Sequence, residues 1–251
     1  MQVRTFTITL LSLFIVISFA GCGGDSGSSA QTTPSASNAM PSTKTITTTK
    51  NSLSMDSLGY EDLFQLVDNQ TDNTALVLNA QGIKGLRVTC GGQETVTGQY
   101  GLFTCNTLPL NIYLGDFKIG TLPNIPKDKI IYTQDILHLP RAATMHPDVT
   151  KLSMILQSLD EDANLDNGIE ITQESMDLLD NELANFKNIQ ELTIADVSNI
   201  IDNVIAARKA NDSQVHLTKV TEKEAQINLT EALANTPAKS LNVTSFRSIA
   251  L

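Results

Sequence analysis

The chain has 251 residues, 41% hydrophobic but only 5% aromatic and without tryptophan, which bounds it to one large domain or two small ones around an aliphatic core. Its formal net charge is −10, with 10 acidic and 9 basic side chains in residues 1–146 against 17 and 8 in residues 147–251. That balance argues against a nucleic-acid partner, whose phosphates need Lys and Arg to neutralise them, and gives no attraction to anionic lipid. It suits solubility, a cation or a basic partner, and in its plainest form it is the solvated face of a set of helices.

Residues 1–21 read as an export signal. Met1 to Thr7 carries one basic residue, Arg4, and Ile8 to Ala20 is a 13-residue apolar run. A spanning helix takes about 20 residues, so the run fits the apolar part of a signal peptide instead. It ends Phe19-Ala20-Gly21-Cys22. These residues resemble the lipobox of bacterial lipoproteins, with Phe19 where Leu is usual; the other reading is an ordinary cleaved signal followed by a chance cysteine. The resemblance implies cleavage before Cys22, diacylation of its sulfur with palmitate-type chains, and acylation of the new amine. Two or more chains hold a protein firmly where one is marginal, so the implied partner at this end is the membrane. Gly23 in place of Asp implies, by the sorting rules of that family, the outer membrane, with either face open. Residues 22–51 follow as a Ser/Thr/Gly tether, too poor in large apolar side chains to order itself. Its Gly24-Asp25-Ser26-Gly27 carries the letters found around a serine-protease nucleophile, but a tether offers no packed His or Asp to activate the serine.

Residues 52–140 predict a small antiparallel β-sandwich or barrel. A short helix is expected within Ser52–Val67, then a polar turn, then apolar runs separated by Gly, Asn and Pro: Ala75–Leu78, Gly85–Thr89, Tyr100–Thr104, Leu110–Leu114, Phe117–Leu122 and Lys129–Tyr132. Cys90 and Cys105 flank one expected hairpin. With Cys22 lipidated, these are the two remaining thiols, and export places them where a disulfide forms and persists. Free thiols or a metal site are the alternatives, the latter disfavoured by the lack of a nearby His.

Val88-Thr89-Cys90-Gly91-Gly92, Thr97-Gly98-x-x-Gly101-x-Phe103-Thr104-Cys105, Leu110-x-Ile112-x-Leu114-Gly115-x-Phe117-x-Ile119-Gly120, Thr133-x-Asp135-Ile136-Leu137, Leu156-Gln157-Ser158-Leu159-Asp160-x-Asp162 and Asn167-Gly168-Ile169 follow in order. Over about residues 85–170 this resembles an uncharacterised adhesin-like module of bacterial surface lipoproteins. The resemblance implies a carboxypeptidase-regulatory-like, prealbumin-type β-sandwich followed by a helix and an acidic loop. It implies architecture and little function.

The acidic loop lies within residues 160–170. Asp160, Asp162, Asn164 and Asp166 alternate ahead of Asn167-Gly168. Alternating oxygen ligands suit Ca²⁺, and the front of the loop matches the start of an EF-hand. Its rear does not, with Leu165 at the position of the invariant glycine and Ile171 at that of the bidentate glutamate. Two readings stand side by side: a structural Ca²⁺ site on these four residues, or a metal-free loop closed by Asx turns.

Residues 141–236 predict four amphipathic helices forming a small bundle, and residues 237–251 a tail that is either a strand at Leu241–Phe246 or irregular. Pro147 suits a first helical position. Thr172 suits a cap, and Thr193-x-x-Asp196 and Thr221-x-x-Glu224 read as capping boxes. The fold class expected is therefore α+β. Only His138, His146 and His216 occur, at no zinc-binding spacing, and no G-x-S-x-G is present. The leading expectation is a lipid-anchored cell-envelope protein acting as a non-enzymatic, adhesin-like binding or structural module. Its partner would be another envelope protein, a polysaccharide or a host surface. The alternatives are a secreted carboxylate-dependent hydrolase, which needs a pocket joining two carboxyls, and an accessory of an envelope export or assembly system, which needs an exposed apolar groove.

Overall fold

The computed structural model describes residues 73–235. The expected signal peptide, Cys22, the tether, the helix within 52–67 and the tail 237–251 lie outside the described residues.

The fold is α+β, with nine strands and five α-helices among the described residues. β1 (Thr74–Asn79), β2 (Gln81–Lys84), β3 (Arg87–Cys90), β4 (Gln93–Val96), β5 (Leu102–Thr104), β6 (Leu110–Leu114), β7 (Phe117–Leu122) and β8 (Ile130–Tyr132) run in order, and β9 (Ile169–Glu170) returns late in the chain. The helices are α1 (Thr133–Ile136), α2 (Pro147–Ser158), α3 (Gln173–Leu183), α4 (Ile194–Asn211) and α5 (Glu222–Ala234).

β3, β4, β6 and β7 make a wholly antiparallel sheet in the order β4-β3-β6-β7. Its central strands β3 and β6 obey the period of two that buries one face. Val88 pairs with Ile112 and Cys90 with Leu110, all buried, while Thr89, Asn111 and Thr121 form a hydrogen-bonded row on the other face. β1 organises the second sheet. It pairs antiparallel with β5 at one end and β2 at the other, and parallel with β8 along its opposite edge; β9 adds parallel to β2. This sheet is mixed, where an all-antiparallel pair was expected. β8 enters parallel after a long excursion through the other sheet, and β9 only after α2.

Both faces of β1 are covered, so all six of its residues are buried. Ala75 and Val77 enter the main core; Leu76 and Leu78 enter a smaller cluster with Tyr100, Ile130 and Tyr132. Tyr100 was expected at the start of a strand. It stands instead at φ 60° in a short 3-10 turn, Gln99–Gly101, which turns its ring onto that cluster. Gly82 permits this, because a Cβ there would stand 2.2 Å from the Tyr100 carbonyl oxygen.

Cys90 and Cys105 form a disulfide. They do not flank a single hairpin. Cys90 ends β3 in the four-stranded sheet, and Cys105 follows β5 in the other, so the bond ties the two sheets together.

The helices share the core of the sheets instead of closing a bundle of their own. Leu152, Ile155, Leu156, Met176, Leu179, Val197, Ile201 and Val204 join Val88, Ile112 and Leu114 in one cluster. α2 lies among β1, α1, α4 and α5, and ten of its twelve residues are buried. Its polar positions are therefore paired. Asn79 Nδ2 donates to Ser153 Oγ at 2.7 Å, Gln157 Nε2 donates to Asn79 Oδ1 at 2.8 Å, and Asn228 Nδ2 donates to Gln157 Oε1 at 2.8 Å. These bonds fix how β1, α2 and α5 sit together, since any slip would strand buried polar atoms. Among the described residues, no helix is long and apolar enough to cross a membrane.

Candidate functional site: the acidic loop and its cleft

α2 ends at Ser158 and α3 begins at Gln173, with Thr172 as its cap. The acidic loop is what lies between. Glu161 N–H donates to the Glu170 carbonyl at 3.0 Å, and Glu170 N–H donates to Asp160 Oδ1 at 3.0 Å. This pair of bonds closes the loop at its neck. Inside it, Asp162 Oδ1 accepts from Asn164 N–H at 2.9 Å, and Asn164 Oδ1 accepts from Asp166 N–H at 3.3 Å. These are successive Asx turns, the local bonding that short polar side chains favour. Asn167 Nδ2 donates to Asp162 Oδ2 at 2.7 Å. Gly168, at φ 109°, then carries the chain into β9.

All four expected residues lie in this one loop: Asp162, Asn164 and Asp166 are linked in turn by side-chain-to-backbone bonds with exposed side chains, and Asp160 is buried at the neck. Asp160 is 1% exposed. Its Oδ2 has no hydrogen-bond partner among the described residues and is the one buried side-chain N or O atom there in that state. Burial pushes its carboxyl up to about 6; the Glu170 N–H pulls the other way, and the neighbouring Asp162 carboxylate adds to the rise. Among the described residues there is no cluster of three or more His, Cys, Asp or Glu side chains that could hold a metal ion. The loop's oxygen set is two carboxylates with a carboxamide and main-chain carbonyls.

The loop is anchored on both sides. Toward the sheet, β9 pairs Ile169 with Ile83 and Glu170 with Lys84, and the Lys84 ammonium meets the Glu170 carboxylate. Toward the helices, the largely buried Arg208 at the end of α4 donates to Glu161 Oε1 at 2.6 Å and to Ser175 Oγ at 3.1 Å. Thr172 Oγ1 donates to the other Glu161 oxygen at 3.2 Å. Lys84, Glu161 and Arg208 were not expected at the site. Nothing local in the sequence marks them, because their partners lie 86 and 47 residues away.

Beside the loop opens a cleft of about 500 Å³, bordered by Lys84, Gln99, Tyr100, Asp162, Asn164, Asn167 and Glu170. Its wall is polar, lined by amides and ionised groups, with the mostly buried Tyr100 at its border. Asp160 lies behind this wall, in the loop's interior. No protein-family model, curated protein or solved structure matches the chain.

Proposed function

We propose that this chain is a lipid-anchored cell-envelope protein, held at the outer membrane through Cys22, that acts as a non-enzymatic binding and structural module. The observation that carries the binding role is the cleft beside the acidic loop. Its polar groups are held in place by the loop's own hydrogen bonds, so they meet a ligand already ordered, and ordering costs are small. Amide and carboxylate groups side by side suit a hydroxyl-rich ligand, which needs many paired donors and acceptors. A polysaccharide of the envelope or of a host surface has that chemistry. The lipid anchor is supported by Phe19-Ala20-Gly21-Cys22, and the absence of anionic-lipid attraction by the negative charge leaves the acyl chains as the membrane contact.

One observation favours a hydrolase instead: a carboxyl raised to about 6 beside a second carboxylate, as acid–base pairs require. Against it, Asp160 is 1% exposed and stands behind the cleft wall, out of reach of a substrate there. The test compares the full chain with Cys22→Ser and with a Gln99→Ala/Asn167→Ala double variant. The expected outcome is loss of membrane partitioning for Cys22→Ser, and at least about tenfold weaker polysaccharide binding for the double variant, two lost hydrogen bonds being worth roughly that. Release of new reducing ends from the bound polysaccharide would replace the module with the hydrolase.

A further inference from the structure

We propose that the loop between α2 and α3 is a calcium site formed by the carboxylates of Asp160 and Asp162, the carboxamide oxygen of Asn164 and main-chain carbonyls of the loop. The argument starts from a buried oxygen. Asp160 Oδ1 is satisfied by the Glu170 N–H, while Oδ2 is 1% exposed with the rest of its residue and lacks a partner among the described residues. A buried acceptor left unmade is costly, and native structures keep few of them. The Asp160 carboxyl stands against the loop's own groups, with the Glu170 N–H on one oxygen and the Asp162 side chain close by. Two carboxyls this close are relieved by a shared proton or by a cation between them.

The chemistry of the oxygens selects which cation. Residues 160–170 contain no His or Cys, the ligands that favour zinc. Two carboxylates with neutral amide and carbonyl oxygens form the mixed, flexible set that Ca²⁺ accepts, whereas Mg²⁺ demands near-octahedral order and keeps its waters. The lack of a three-acid cluster is consistent with a two-carboxylate site and sets its strength. Low ligand charge weakens Ca²⁺ binding toward the ~10⁻⁴ M range of extracellular modules. The helix–loop–helix setting supplies the frame, with α2 delivering Asp160 and Thr172 capping α3 on the far side. The proposed set keeps three of the four residues read from the sequence; the N–H of the fourth, Asp166, donates to Asn164 Oδ1.

Filling the site would join the two halves of the molecule. The neck bonds between Glu161 and Glu170 tie the loop to β9 and so to β2, and Glu161 ties it to Arg208 of α4. This inference rests on the orphan oxygen and not on the role of the cleft, so either reading can fail alone. The test is calorimetric titration of CaCl₂ into the full chain at constant ionic strength, with melting followed in parallel. The variants are Asp160→Asn, Asp162→Asn and, as a remote carboxylate control, Asp180→Asn. The expected result is one saturable site near ~10⁻⁴ M with a raised Tm, weakened at least about tenfold in both loop variants and retained in Asp180→Asn. Asp162 is exposed, so its variant folds even if Asp160→Asn does not. Absence of heat and of any Tm change up to about 10 mM Ca²⁺, or equal binding by wild type and Asp162→Asn, overturns the site.

Discussion

Asp160 couples the ionisation of one side chain to the stability of the whole. Its carboxyl is raised to about 6 from an ordinary 3.8, chiefly by burial. Between these values the folded protein keeps a proton that the unfolded chain has lost. Without a cation, stability therefore falls as pH rises from about 4 through about 6 and then levels, with up to about 3 kcal/mol lost at pH 7. Asp160→Asn removes the ionisation while keeping an oxygen for the Glu170 N–H. In chelator, its urea unfolding curves are expected to lose this slope, so that the variant matches wild type near pH 4 and exceeds it near pH 7. A wild type that gains stability relative to the variant across that range would refute the burial argument. Arg141 shows the opposite solution to the same problem. Buried at 4% exposure, it meets Asp128 and Asp135 and lies over the Tyr132 ring, so its charge is fully partnered.

At the scale of elements, the helix starts were legible because capping is local. Thr193 and Asp196 exchange bonds across three residues, as do Thr221 and Glu224, and Thr172 caps α3. Thr172→Ala removes that cap and one bond to Glu161, and is expected to cost about 1 kcal/mol in chemical denaturation, with Ca²⁺ binding weakened in step. The strands β6 and β7 were legible to the residue, β6 because it alternates over one buried face and β7 because its run is bounded by Asp116 and Pro123. β4 was not, since Gln93–Val96 is an edge strand with no buried residue and so carries no apolar pattern. β9 is two residues long and exists only because β2 lies beside it. Gly85, expected inside a strand, is a corner at φ 101° with Ile171 O 2.3 Å from where a Cβ would stand; a β-forming residue does not fit there.

For the whole molecule, the disulfide is the joint between sheets. It closes a separation of 15 residues, for which loop entropy alone is worth about 3 kcal/mol. Reduction, or a Cys90→Ala/Cys105→Ala variant, is expected to lower unfolding free energy by roughly that amount while leaving the Ca²⁺ affinity of the distant loop within about twofold. A collapse of Ca²⁺ binding on reduction would mean that the sheets and the loop are energetically one unit.

The sequence by itself determined the α+β order, the helix caps, the bounds of the two best strands, the pairing of two thiols and the Asx turns of the acidic loop. Each of these is decided by residues within a turn of one another, by a fixed backbone period or bounding turn residues, or, for the thiols, by the two cysteines that residues 52–140 contain. Tertiary structure alone decided that Asp160 is buried, that Asp166 is not, that Lys84 and Arg208 clamp the loop from opposite sides, and that helices and sheets share one core. Those outcomes depend on which surfaces meet across 47 to 86 residues of chain. The hydrophobic effect that drives such meetings is non-directional and leaves no local signature at either partner.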